Sequence, residues 1–75
     1  MHVEIDARNL ICPMPVLRLA KEVAMLKSGD SVSIIANDLG TKQDIPAWCR
    51  VHGHEVSAIV ESDDEVRVDV TIHGQ

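Results

Sequence analysis

The sequence predicts an α/β (α+β) two-layer sandwich of order β-α-β-α-β-β, in which a four-stranded sheet carries both helices on one face. Three observations predict it. Residues 65–72, E-V-R-V-D-V-T-I, alternate apolar and polar side chains without interruption, as a strand does when one face is buried and the other is wet. Two segments place apolar residues at helical spacing, and each ends at a glycine-containing stop. Only about four residues join the last two strands, the span of an antiparallel hairpin. Right-handed crossovers through both helices then leave the helices on the same side of the sheet.

The elements follow in order. H-V-E-I-D, residues 2–6, is the first strand, with Val3 and Ile5 inward and His2, Glu4 and Asp6 outward, and residues 7–12 form a loop. The first helix is expected from Pro13 to Leu26. Val16, Leu17, Ala20, Val23 and Ala24 form its apolar stripe, Arg18, Lys21 and Glu22 face water, and S-G-D at 28–30 is the stop. S-V-S-I-I-A, residues 31–36, is the second strand. In the second helix Thr41 is the expected N-cap, with Asp44 at the third helical position as a capping-box analogue. Pro46 falls in the first turns, where proline is best tolerated, and Gly53 ends the helix. Residues 54–61 make the third strand, S-D-D the turn and residues 65–72 the fourth strand.

Seventy-five residues make one domain, 1–75. With 45% hydrophobic and 25% charged residues, a folded core is expected, and one Trp with no Tyr or Phe leaves it to Val, Ile, Leu, Ala and Met. A formal net charge of −5 argues against binding a phosphate backbone, and the missing aromatics argue against base stacking. A basic protein is the better electrostatic match. No apolar run approaches membrane-spanning length, and M-H-V-E-I-D is not a secretory leader. Two cysteines 37 positions apart are no disulfide framework, so the expected setting is cytoplasmic, with reduced thiols.

The stretch L-I-C-P-M-P-V-L, residues 10–17, sets a thiol where a helix begins. With Pro13 as the first helical residue, Cys12 falls at the N-cap, a position that Ser, Thr, Asp and Asn fill far better. A reason to accept cysteine there is a thiolate stabilised by free N–H groups and the helix dipole. Pro13 and Pro15 stiffen the corner, and Met14 is expected beside the sulfur, exposed and adaptable. The competing reading is a buried cysteine acting as a small hydrophobe behind Leu10 and Ile11.

D-A-R-N-L-I-C-P-M-P-V-L resembles the signature of the TusA/SirA-like sulfur-carrier family, in which Asp-x-x-Gly-Leu-x-Cys-Pro-x-Pro leads into the first helix. I-I-A-N-D-L-G-T-K-Q-D-I-P-A-W-C-R-V-H-G-H-E resembles that family's second block, and element order and length match over the whole chain. The resemblance implies a mixed four-stranded sheet. It implies that Cys12 accepts a sulfane sulfur as a persulfide and passes it on without metal, nucleotide or organic cofactor. It also implies a donor protein, such as a cysteine desulfurase or a rhodanese, and a downstream acceptor protein. Members of the family serve tRNA thiolation, molybdenum-cofactor and selenium metabolism, and sulfur oxidation. Two positions depart from the pattern: Asn9 stands where glycine is usual, and Ile11 where many members are polar or basic. Asn is the best substitute for glycine at positive φ.

Asp6 is expected to fix the loop by accepting backbone N–H bonds, and Arg8 reads as a solvated loop charge that lies near enough to assist Cys12. Asp38, Thr41 and Asp44 match the family's second block, and capping and loop shaping account for all three, at the border of a partner surface. Cys49 and Trp48 sit at core spacing on the second helix, with Cys49 as a resolving thiol the alternative. Cys49, His52 and His54 are one ligand short of a zinc site, and His2 and His73 lie near the ends of the chain. G-D-S and D-L-G-T lack the glycine spacing and lysine of a phosphate loop. The sequence therefore points to a sulfur carrier acting through Cys12, the alternative being a non-catalytic protein-interaction or redox-regulatory module.

Overall fold

The computed structural model describes residues 1–74. Its elements are β1 (His2–Asp6), α1 (Met14–Val23), β2 (Ser31–Ala36), α2 (Thr41–His52), β3 (Glu55–Glu61) and β4 (Val66–Thr71). The four strands form one mixed sheet of order β1-β2-β4-β3, with β1 parallel to β2 and β4 antiparallel to both its neighbours. The helices lie against each other on one face of that sheet, giving the two-layer sandwich that the pattern predicts.

Period-two alternation places Ile5, Val32, Ile34, Ala36, Val66, Val68 and Val70 toward the helices, where they are buried with Ile72. The opposite face is polar. There Ser33 Oγ donates to Asp69 at 2.6 Å and accepts from the Arg67 guanidinium at 3.2 Å, so a serine on the open face is only 1% exposed. The β3–β4 hairpin closes through Ser62 N–H to the Glu65 carbonyl at 2.9 Å, and a bulge at Ser57 shifts its register between Val56 and Ala58.

Both helices differ in detail from the sequence expectation. The buried residues of α1 are Pro15, Leu19 and Val23; of the predicted stripe Val23 is buried, Val16 and Ala20 are half-buried, and Leu17 and Ala24 are exposed. The α-helix ends at Val23, not Leu26. Met25 N–H and Leu26 N–H then bond the carbonyls of Glu22 and Val23, and these tighter turns still deliver Leu26 to the core. The N-cap of α2 is Gly40, and Thr41 is the first helical residue. Pro46 consequently lies inside the helix, past the first turn, and Gly53 ends α2 in the left-handed region at φ 80°.

Candidate functional site

Parallel pairing of β1 with β2 sends both chains out at the same end of the sheet, so the loop after Asp6 meets the loop after Ala36. Ala7 N–H extends the ladder to the Ile35 carbonyl at 2.7 Å. The chain then turns at Asn9, whose φ of 69° is the left-handed conformation expected where asparagine replaces glycine. Asn9 N–H donates to Asn37 Oδ1 at 2.9 Å, and Asn37 Nδ2 returns a bond to Asn9 Oδ1 at 3.3 Å. One step on, Cys12 N–H donates to Asp38 Oδ2 at 3.0 Å, while Asp38 Oδ1 accepts Gly40 N–H at 3.0 Å. The carboxylate of Asp38 therefore pins the cysteine backbone to the start of α2, and these two bonds lower the pKa of Asp38 below its ordinary 3.8.

Cys12 is exposed. It occupies the corner of a turn that Met14 N–H closes onto the Ile11 carbonyl at 2.8 Å, and the Cys12–Pro13 peptide is cis. Pro13, not Cys12, is the N-cap of α1, and no side chain caps it. The expected thiolate stabilisation does not follow. The thiol is pushed above its ordinary 9.0, first by a hydrogen bond to the Asp44 carboxylate, then by desolvation and by the charges of Asp44 and Asp38. The helix end has little to set against them. Pro13 and Pro15 carry no N–H, that of Met14 is already bonded to Ile11, and the dipole fades within the first turn.

The remaining predicted residues divide clearly. Asp6 accepts Arg8 N–H at 3.1 Å, as the loop-fixing reading expects, and takes the guanidinium at 3.0 Å from both Nε and Nη2; these bonds bring its carboxyl down to about 2. Arg8 reaches on to Glu65 at 3.4 Å, so its hydrogen bonds go to carboxylates rather than to Cys12. Met14 is exposed beside the thiol, as expected, while Pro15 is buried against the core. Thr41 is 1% exposed, and among the described residues its hydroxyl has no hydrogen-bond partner, so it neither caps α2 nor lies on a surface that a partner meets.

Two roles in the site escaped the sequence reading, that of Asn37 altogether and the contact of Asp44, read there as a cap, with the thiol. Asn37 holds the Asn9 turn, and Asp44 reaches the thiol. The available signal for both was topological: the ends of adjacent parallel strands are neighbours, and Asp44 stands one turn inside the helix that starts there.

Cys49 is buried in the core, and desolvation pushes its thiol up to about 11, which suits it poorly to resolve a bond at the exposed Cys12. Trp48 is half-buried against the core, lies tilted against the His52 ring and stacks on His54, with ring centroids 4.4 and 5.5 Å away. His54 Nδ1 accepts His73 N–H at 3.1 Å. Among the described residues no set of three His, Cys, Asp or Glu side chains converges on a metal position, and no helix is long and apolar enough to cross a membrane.

What the arrangement offers is an accessible thiol on a backbone corner held by proline and by Asp38. The chain has counterparts among known families, proteins and structures. The family model for sulfurtransferase TusA matches residues 3–72. The sulfur carrier protein TusA of Pseudomonas syringae is 44% identical over 58 residues, 77% of this chain and 69% of that protein. The sulfur carrier protein TusA of Pseudomonas entomophila is 44% identical over 52 residues, 69% of this chain and 65% of its own length. A crystal structure of a SirA-like protein from Desulfitobacterium hafniense superposes with a TM-score of 0.85 at 24% identity, covering 96% of this chain and 99% of that one, which establishes the shared fold.

Proposed function

The chain belongs to the TusA sulfurtransferase family, and we propose that within it Cys12 carries sulfane sulfur as a persulfide between two proteins. The observation that carries this reading is the exposed thiol in the Cys12–Pro15 corner, anchored through its own amide to Asp38. The donor is a protein persulfide on a cysteine desulfurase or a rhodanese. Cys12 sulfur attacks the outer sulfur of that persulfide, the donor's S–S bond breaks, and the donor leaves as a thiol. The proton of Cys12 passes to the departing donor sulfur, so a thiol and a persulfide exchange places and no oxidant or reductant is consumed. The reverse exchange with a downstream acceptor protein discharges the carrier.

Because Asp44 and Asp38 favour the protonated thiol, the free protein is a slow nucleophile, and the reactive form belongs to the complex with its partner. That separation suits a carrier, whose sulfur must not be lost to whatever small thiols or oxidants it meets. No organic cofactor or metal enters either exchange.

The test is loading. Incubation with a cysteine desulfurase and cysteine, or with a rhodanese and thiosulfate, is expected to add one or more sulfur atoms to the intact mass. The adduct should be absent in Cys12→Ser and retained in Cys49→Ala. A chain that several donors leave unloaded, yet that still binds proteins through this end, would be an interaction or redox-regulatory module instead.

A further inference from the structure

The hairpin turn that joins β3 to β4 lies at the same end of the sheet as Cys12, since Val66 pairs with Ala36 and Arg8 reaches Glu65. That end concentrates acid. Asp38 and Asp44 stand beside the thiol, and Glu61, Asp63, Asp64 and Glu65 line the hairpin. Two of the cations among them are already engaged, Lys42 with Glu61 at 2.9 Å and Arg8 with Asp6 and Glu65, and the charge of Arg18 is felt at Asp6. Around the sulfur the same end is apolar. Ile11, Leu39, Leu17 and Met14 are 74%, 56%, 53% and 42% exposed, the first and last flanking the Cys12–Pro13 corner and Leu39 following the aspartate that anchors it.

We propose that this end is a docking surface for a protein face with an apolar centre and an arginine or lysine rim, and that the rim, placed against Asp38 and Asp44, is what frees the Cys12 thiol to react. The proposal rests on the carrier reading of Cys12 and names the kind of partner it meets. An exposed apolar cluster rimmed by charge marks an interaction site. A nucleic acid or an anionic membrane would meet like charge here, and a second copy would bring the same carboxylates against each other. A cationic rim satisfies the acidic border, and it offsets the two negative charges that hold the proton on sulfur. Recognition and activation are thus one electrostatic event, and a partner without the rim meets a thiol that stays protonated.

Two peptides activated as 2-pyridyl disulfides test this, one carrying six arginines and one six glutamates, with the same leaving group. Cys12 displaces pyridinethione from either, and the absorbance of the released thione reads the rate. The arginine peptide is expected to react at least about tenfold faster at an ionic strength of about 20 mM, with the ratio falling to within about twofold at about 0.5 M. The double variant Asp63→Asn/Asp64→Asn, altered in the exposed turn of the hairpin, should narrow the ratio at low salt. Equal rates at low ionic strength, or a ratio indifferent to that variant, would overturn the proposal. So would a dimer, seen by sedimentation at low salt, that Leu39→Glu dissolves, since the face would then belong to a second copy. No persulfide forms in this assay, so it stands or falls separately from loading by a sulfur donor.

Discussion

At the scale of single residues, the chemistry turns on one sulfur and the two carboxylates beside it. Asp44 accepts a hydrogen bond from the Cys12 thiol and adds its charge to that of Asp38, so both oppose ionisation. Asp44→Asn should therefore increase the fraction of thiolate at neutral pH. Alkylation of Cys12 by iodoacetamide is expected to run several-fold faster than in the parent protein, with its pH–rate curve displaced toward lower pH; an unchanged curve would mean that Asp44 does not bear on the sulfur. Thr41 is the other informative residue, because its hydroxyl is buried with no partner among the described residues. A buried hydroxyl without a hydrogen bond costs about 1–3 kcal/mol. Thr41→Val, which keeps the shape, should leave urea stability unchanged or raise it by about 1 kcal/mol. The cysteine and its prolines were legible in the sequence, and so was the positive φ of Asn9. The state of the thiol was not, because it depends on a carboxylate 32 positions away that a helix turn brings to the sulfur.

At the scale of elements, α1 shows how an apolar stripe is misread at single positions. Leu17 and Leu19 have the same helical propensity and nearly the same neighbours in sequence, yet Leu19 is fully buried and Leu17 is exposed. The buried face runs through Pro15, Leu19 and Val23 at i, i+4 spacing, and the predicted stripe took in Leu17 and omitted Leu19. Leu19→Ala should cost about 2–5 kcal/mol in denaturant unfolding. That is a large share of the roughly 4–11 kcal/mol expected of a chain this size. Leu17→Ala should stay within about 0.5 kcal/mol. Its effect is expected on partner binding instead. The strands were easier to place, because a period of two fixes which side chains face inward however the ends fray, and the register of β2 on β4 needs no information from the helices.

At the scale of the whole molecule, the acidic groups set the response to pH. The Asp6, Asp30, Asp38 and Asp69 carboxyls are all lowered by hydrogen bonds, Asp6 to about 2. Each binds fewer protons in the folded chain than in the unfolded one, so its contribution is complete above the ordinary 3.8 and is lost as the pH falls toward the folded value. His54, lowered chiefly by desolvation, adds an earlier loss as the pH drops through its ordinary 6.5. At the other extreme, Cys49 is raised from 9.0 to about 11, and its contribution, complete below 9.0, fades as the pH rises through that interval. Urea midpoints should therefore be highest near neutrality, with a shallow decline below about pH 6 and a steep one between about pH 4 and pH 2. A flat acid limb would contradict the hydrogen-bonded carboxylates described above.

The two-layer architecture and the hairpin were readable from pattern and connection length, and the mixed sheet was implied by the family resemblance. The concentration of charge at one end was not. It arises only when parallel β1–β2 pairing and the β3–β4 turn bring three separate loops together.

The central claim is that residue 12 carries the sulfur. After incubation with a sulfur donor, blocking of free thiols and tryptic digestion, the peptide from Asn9 to Arg18 holds Cys12 as its sole cysteine. Mass spectrometry of that peptide should find an additional sulfur between the cysteine and the blocking group, removable by a reducing thiol. Finding that peptide with only the blocking group, or finding the extra sulfur solely on the peptide that contains Cys49, would contradict the account.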